Sequence, residues 1–170
     1  MIVSEARQVS GWILVCLLGF TVQTTVCKAE TVHLRGGKKA DAKVVEHNRN
    51  SMIYTQKAIE ALGESDVETG IALLEKALAL NPNNHVALGT LAGVYANFKH
   101  DFPKSNELFK KSLAIKEDFD VAHFGLGVNY ASMGMKSEAK KEFETTLRVT
   151  DKQHMKDSAK KALLMLEQQP

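Results

Sequence analysis

The chain has 170 residues, 44% of them apolar and 25% charged, a balance that suits one soluble globular domain and leaves no low-complexity block. Its 22 basic and 20 acidic residues give a formal net charge of +2 and are mixed along the chain, so no basic stripe is available to follow a phosphate backbone. Nucleic acid is therefore not an expected partner. In chain order the first distinct segment is residues 1–29, where an apolar run from Gly11 to Val22 (GWILVCLLGFTV) follows Arg7. Twelve apolar residues fit a signal-peptide core and fall short of the ~20 needed to span a bilayer; Cys27-Lys28-Ala29 before Glu30 offers small residues at a cleavage site. Residues 1–29 thus read as an export signal, the mature chain beginning near Glu30 in the periplasm or a secretory lumen. Glu5 offsets Arg7, so an uncleaved signal anchor is the alternative, and it would supply the only membrane contact. Acylation of Cys27 fits less well, since Thr24-Thr25-Val26 departs from the Leu-small-small sequence that precedes a lipidated cysteine. Cys16 and Cys27 both lie in the leader, so cleavage leaves no disulfide and no thiol nucleophile.

Residues 30–50 divide into a tether, 30–39, carrying Gly36-Gly37, and a backward extension of the next helix. From Ala40 to Leu62 glycine and proline are absent, and Val44, Val45, Met52, Ile53, Ile59 and Leu62 recur at helical spacing. Gly63-Glu64-Ser65-Asp66 then makes a turn, with Ser or Asp capping the next helix. Further helices are expected over about 67–80, 102–116 and 137–149, stopped at Asn81-Pro82, Glu117-Asp118 and Thr150-Asp151. Pro103 falls in a first turn behind Asp101, where its missing N–H costs nothing. Beyond Asp151, Met155, Ala159, Ala162, Leu163 and Leu166 form one apolar stripe.

Three stretches, 51–84, 85–119 and 120–151, carry the same residue types at intervals of 34 or 35. Ala58, Ala92 and Gly127 coincide; so do Gly70, Ser105 and Ala139, then Leu74, Phe109 and Phe143, then Ala77, Ser112 and Thr146, then Leu80, Ile115 and Val149. Small residues recur where helices approach and large ones where the gap must be filled. The third stretch, with Leu126-Gly127, Tyr130, Gly134, Ala139 and Phe143, resembles the tetratricopeptide repeat. The second matches through Leu91-Ala92, Tyr95, Ser105 and Phe109, with one extra residue in the Asn97 to Asp101 turn; the first matches through Gly70, Leu74, Ala77 and Pro82. The resemblance covers about 51–151. It implies an all-α, right-handed α-α superhelix of three helix-turn-helix repeats, with residues 152–170 as a capping helix over the last repeat. A dimerisation surface is the alternative reading of that helix.

No catalytic constellation is visible. The six histidines, His33, His47, His85, His100, His123 and His154, form no i, i+4 pair, so neither a metal nor a cofactor is expected, and the chain is not read as an enzyme. His123 shares a column with Tyr54 and Leu88 and reads as a packing residue. The glycines at 89, 93, 125, 127 and 134 sit in helices or a helix turn, which is no phosphate loop. The surplus lies on the first helix of the third stretch: Val121, Phe124 and Val128 form a second stripe beside the one that packs into the repeat. In this family the first helices line a concave groove. By column its surface includes Met52, Thr55, Ile59 and Leu62, then Val86, Gly89, Gly93 and Asn97, then Val121, Phe124 and Val128, with Ser132 and Asn97 at one end. The resemblance implies a trough for an apolar segment of a partner protein, with Phe124 as anchor. A clamp for a terminal carboxylate would need Lys, Arg and Asn; Thr55, Ile59, Gly89, Gly93, Phe124 and Val128 stand there instead. The expected function is a non-enzymatic adaptor docking a polypeptide, aiding assembly of an envelope or secreted complex. The alternative is a homo-oligomeric scaffold joined through a terminal repeat or the capping helix.

Overall fold

The computed structural model describes residues 42–168; the leader and the 30–39 tether lie outside the described residues. Among the described residues seven helices follow one another: α1 (Ala42–Gly63), α2 (Val67–Leu80), α3 (His85–Asn97), α4 (Phe102–Ile115), α5 (Asp120–Ser132), α6 (Lys136–Val149) and α7 (Gln153–Gln168). No strand occurs among the described residues. Short links fold α1 on α2, α3 on α4 and α5 on α6 as helical hairpins; each hairpin packs on the next, and the first helices α1, α3 and α5 touch in series along one side.

The links are built from local chemistry. Asp66 Oδ1 accepts from Thr69 N–H, Asn84 Oδ1 from Ala87 N–H and Asp101 Oδ1 from Lys104 N–H, so α2, α3 and α4 begin on side-chain caps. Pro103 takes its place in the first turn of α4. Each turn between the two helices of a repeat contains one left-handed residue: Ser65 at φ 67°, His100 at φ 52° and Gly134 at φ 75°. These three positions are themselves 35 and 34 apart, so the turn repeats with the helices.

The columns explain the packing. Ala58, Ala92, Gly127, Ser105, Ala139, Leu74, Phe109, Phe143, Ala77, Ser112 and Thr146 are all buried. A Cβ on Gly127 would stand 2.6 Å from the Phe143 ring, so the glycine is what lets α6 seat against α5. The fifth column departs from expectation at one position: Ile115 is exposed, whereas Leu80 and Val149, which also end their helices, are half-buried. Repeats one and two and the first helix of repeat three, α5, share a core running from Ala58 to Leu126, and a second cluster joins Ala139 and Phe143 to Leu166 of α7. Thus α7 buries Ala159 and Leu166 over the last repeat and leaves Leu164 and Met165 on its outer side.

Candidate functional site

Where α3 and α5 run side by side, their facing surfaces leave an open hollow of about 430 Å³. From α3 come Gly89, Thr90, Gly93, Val94, Ala96 and Asn97; from α5 come Val121, Phe124, Gly125, Val128 and Asn129. Leu62, Phe98 and Phe109 close it from the neighbouring segments. The shape follows from side-chain size. The α3 side includes the small residues Gly89, Gly93 and Ala96, whereas α5 contributes the larger Val121, Phe124 and Val128.

Of the twelve residues expected along the trough, seven line this hollow: Leu62, Gly89, Gly93, Asn97, Val121, Phe124 and Val128. Met52, Ile59 and Val86 are exposed on α1 and α3 outside it. Thr55 is a correction: it is buried, donating its hydroxyl to Ser51 O at 2.8 Å and accepting from Asn84 Nδ2 at 3.0 Å. It turns inward because Ser51, Thr55 and Ala58 make the buried stripe of α1. Phe124 also departs from the anchor expected of it. Half-buried, it lies 5.6 Å centroid to centroid from Phe143 and packs with the α7 cluster, so the exposed apolar side chains are Val121 and Val128 on α5 and Phe98 after α3. Ser132 is outside the hollow, its hydroxyl donating to Val128 O.

Electrostatically the hollow is blank: none of its lining residues is charged. Its polar groups are Thr90, Asn97 and Asn129. Thr90 Oγ1 donates to Val86 O at 2.9 Å, which returns it to its own helix. Asn129, only 1% exposed, donates from Nδ2 to Ser105 Oγ and to Asn106 Oδ1, both at 2.8 Å, tying α5 to α4. Sequence reading misses Asn129; the one signal for it is an amide in the column where the second repeat has buried Val94.

Two titratable groups of α5 point away from the hollow. His123 Nδ1 lies 2.7 Å from Glu142 Oε2 and Nε2 3.0 Å from Glu117 O, and the Glu142 hydrogen bond, against the opposing effect of burial, raises the imidazole pKa. Asp120 is pushed up by burial, but hydrogen bonds from Thr150 and Lys152 outweigh this and hold its carboxyl below the usual value. Both serve packing: His123 joins α5 to α6, and Asp120 joins the start of α5 to the segment leading into α7. No group of three or more potential metal ligands occurs among the described residues, and no described helix is long and apolar enough to cross a membrane.

Comparison with known proteins places the fold. No family model matches the chain. A TPR repeat-containing protein, YpiA of Bacillus subtilis (strain 168), is 31% identical over 99 residues, covering 58% of this chain; the chain spans only 23% of that relative's length. Among solved structures, the Arabidopsis OM64 TPR domain superposes with a TM-score of 0.62 at 18% identity, over 70% of this chain and 98% of that one. The first TPR of Spaghetti (RPAP3), bound to the HSP90 peptide SRMEEVD, superposes with a TM-score of 0.61 at 17% identity, over 71% of this chain and 95% of that one. The helical hairpins therefore form a tetratricopeptide-repeat fold.

Proposed function

We propose that this tetratricopeptide-repeat chain is a non-enzymatic adaptor that docks a segment of a partner protein in the trough between α3 and α5. The observation that carries the reading is the trough itself: two successive first helices leave Val121 and Val128 uncovered around a floor without charge. Apolar surface held in a concavity loses water on docking and contributes roughly 25 cal/mol per Å² buried. The peptide bound by the RPAP3 domain supports the class of ligand, a polypeptide on this fold. That peptide is acidic, and no cation lines this trough to receive it, so the segment proposed here is of another kind.

The test replaces exposed Val128 by Glu, a change that leaves the Phe124–Phe143 contact in place. Helical content should be unchanged by circular dichroism while a partner crosslinked in the native host is lost. An unaltered set of crosslinked partners removes the trough from the reading.

We further propose that the leader delivers this adaptor to the periplasm or a secreted complex, whose assembly it aids. The intact mass of the exported chain checks this: a start near Glu30 is expected, and retention of residues 1–29 in a soluble cytosolic form overturns it. Self-association through α7 is the second reading, favoured by Leu164 and Met165 standing exposed on its outer side. Leu166 cannot report on it, because that side chain is buried within its own chain. Light scattering decides: a dimer at tens of micromolar broken by Leu164→Glu supports it, and a monomer dismisses it.

A further inference from the structure

The last carbonyls of a helix have no partner inside it, and the chain leaving the helix commonly returns N–H groups to them. After α1, the N–H groups of Glu64, Ser65 and Asp66 return to Ala61 O and Leu62 O; after α5, those of Met133, Gly134 and Met135 return to Asn129 O, Tyr130 O and Ala131 O. The end of α3 is different. Phe98 and Asp101 donate to Val94 O and Tyr95 O, but no backbone N–H of the turn returns to Ala96 O or Asn97 O. Ala96 and Asn97 both line the hollow. Helix carbonyls point along the axis toward the C-terminus, so two open acceptors stand at the turn end of the hollow, together with the Asn97 carboxamide.

Elsewhere the polar capacity of the hollow is spent. Thr90 donates to Val86 O, and the Asn129 amide is engaged by Ser105 and Asn106. The rest of the lining is apolar, with the rings of Phe98, Phe109 and Phe124 beside Leu62, Val121 and Val128. Its volume of about 430 Å³ falls in the range of ~300–1,000 Å³ usual for small-molecule sites.

We infer that the hollow binds a small uncharged amphiphile, a single alkyl chain ending in a hydroxyl, with the chain along Val121 and Val128 and the hydroxyl donating at the Ala96–Asn97 end of α3. This goes beyond the docking reading and does not rest on it. Both occupants use the same two valines, so each displaces the other. The chemistry of the site selects the class. A carboxylate offers no donor and would face two carbonyl oxygens at the negative end of the α3 dipole. A quaternary ammonium offers no donor either, and Lys99, exposed directly after Phe98, repels it. A peptide backbone brings an N–H and a C=O with every residue, and this one end answers few of them. A hydroxyl brings one donor and no charge.

The experiment titrates the full chain, carrying labelled valine methyls, with 1-decanol, decanoate and decyltrimethylammonium by NMR, each probe below its aggregation limit. Decanol should shift Val94, Val121 and Val128 saturably at one molecule per chain, and bind at least tenfold more tightly than either charged probe. A smaller preference refutes the class of ligand. Val128→Glu should abolish the shifts at Val94 and Val121. Gly93→Leu, which adds bulk where a Cβ meets nothing within 4 Å, should keep its helical content and weaken decanol at least tenfold. Indifference to both variants, shifts confined to valines of the leader, or shifts that never saturate overturn the site. If Val128→Glu loses its crosslinked partner while decanol still binds, docking stands and the ligand site falls. If decanol behaves as expected while the crosslinked partners are unaltered, the ligand site stands and docking falls.

Discussion

His123 faces two acceptors, the Glu142 carboxylate at 2.7 Å and the Glu117 carbonyl at 3.0 Å, and only an imidazolium can donate to both. Its folded pKa is accordingly raised, first by the Glu142 hydrogen bond and then by the Glu117 carbonyl and the Glu142 charge, while burial and Arg148 act the other way. A raised value means that the stabilisation is complete below the unfolded pKa of about 6.5 and is lost as pH climbs through the folded one. His85 opposes this in the same window: burial beside Phe119, at 5.0 Å between rings, lowers its pKa, so its contribution is lost on acidification. The measurement is therefore the difference in Tm between the native chain and His123→Gln from pH 5.5 to pH 8.5. The native chain should lead most at the acid end and the gap should narrow upward; a constant gap refutes the assignment. The left-handed turn residues give a second outcome at this scale. His100 carries a strained φ that costs an L-residue about 1–2 kcal/mol, against ~0.5–1 kcal/mol of extra chain entropy for glycine. His100→Gly should thus stabilise by about 0.5–1 kcal/mol in thermal unfolding, and Gly134→Ala should destabilise by about 1 kcal/mol. In the sequence only Gly134 signals this conformation; Ser65 and His100 hold it because the surrounding repeat imposes it.

At the scale of helices, punctuation is readable in the sequence and facing is less so. The cap at Asp66 and the stop at Asn81-Pro82 fix α2 at Val67–Leu80 as expected, and Asp101 with Pro103 places the start of α4. Thr55 defeats the column reading for a definite reason: a hydroxyl that bonds back to its own helix, as Thr55 does to Ser51 O, can be buried at little cost, so a polar residue need not mark a solvent face. Ser51, Thr55 and Asn84 in fact form one buried junction between repeats one and two, closed by Ser51 Oγ donating to Ala77 O at 2.8 Å. Asn84 contributes twice, capping α3 through Oδ1 and holding both hydroxyls through Nδ2. Asn84→Ala should therefore cost about 2–3 kcal/mol in urea unfolding, the sum of a lost cap and partners left short in a buried site. Asp66→Ala, which removes an exposed cap alone, should cost less. Equal losses would show that the buried junction adds nothing.

For the molecule as a whole, the period of 34 or 35 residues makes the stacking legible, because each hairpin meets only its neighbours. What the period cannot show is that the core divides. Repeats one and two share the cluster from Ala58 to Leu126 with α5, whereas Phe143 on α6 closes against Leu166, Ala162 and Leu163 of α7. The Asp120 clasp crosses the same boundary: Thr150 Oγ1 lies 2.7 Å and Lys152 Nζ 3.0 Å from its Oδ2. Repeat three should therefore depend on α7 more than its fellows do. Leu166→Ala empties a buried site and should cost about 2–5 kcal/mol, felt first where that site lies. Hydrogen exchange resolves it: amides of α6 and the second half of α5 should lose protection in the variant, while those of α2 and α3 keep it. A uniform loss across all seven helices would mean instead that the two clusters unfold as one unit, and that the last repeat is no more separable than the first.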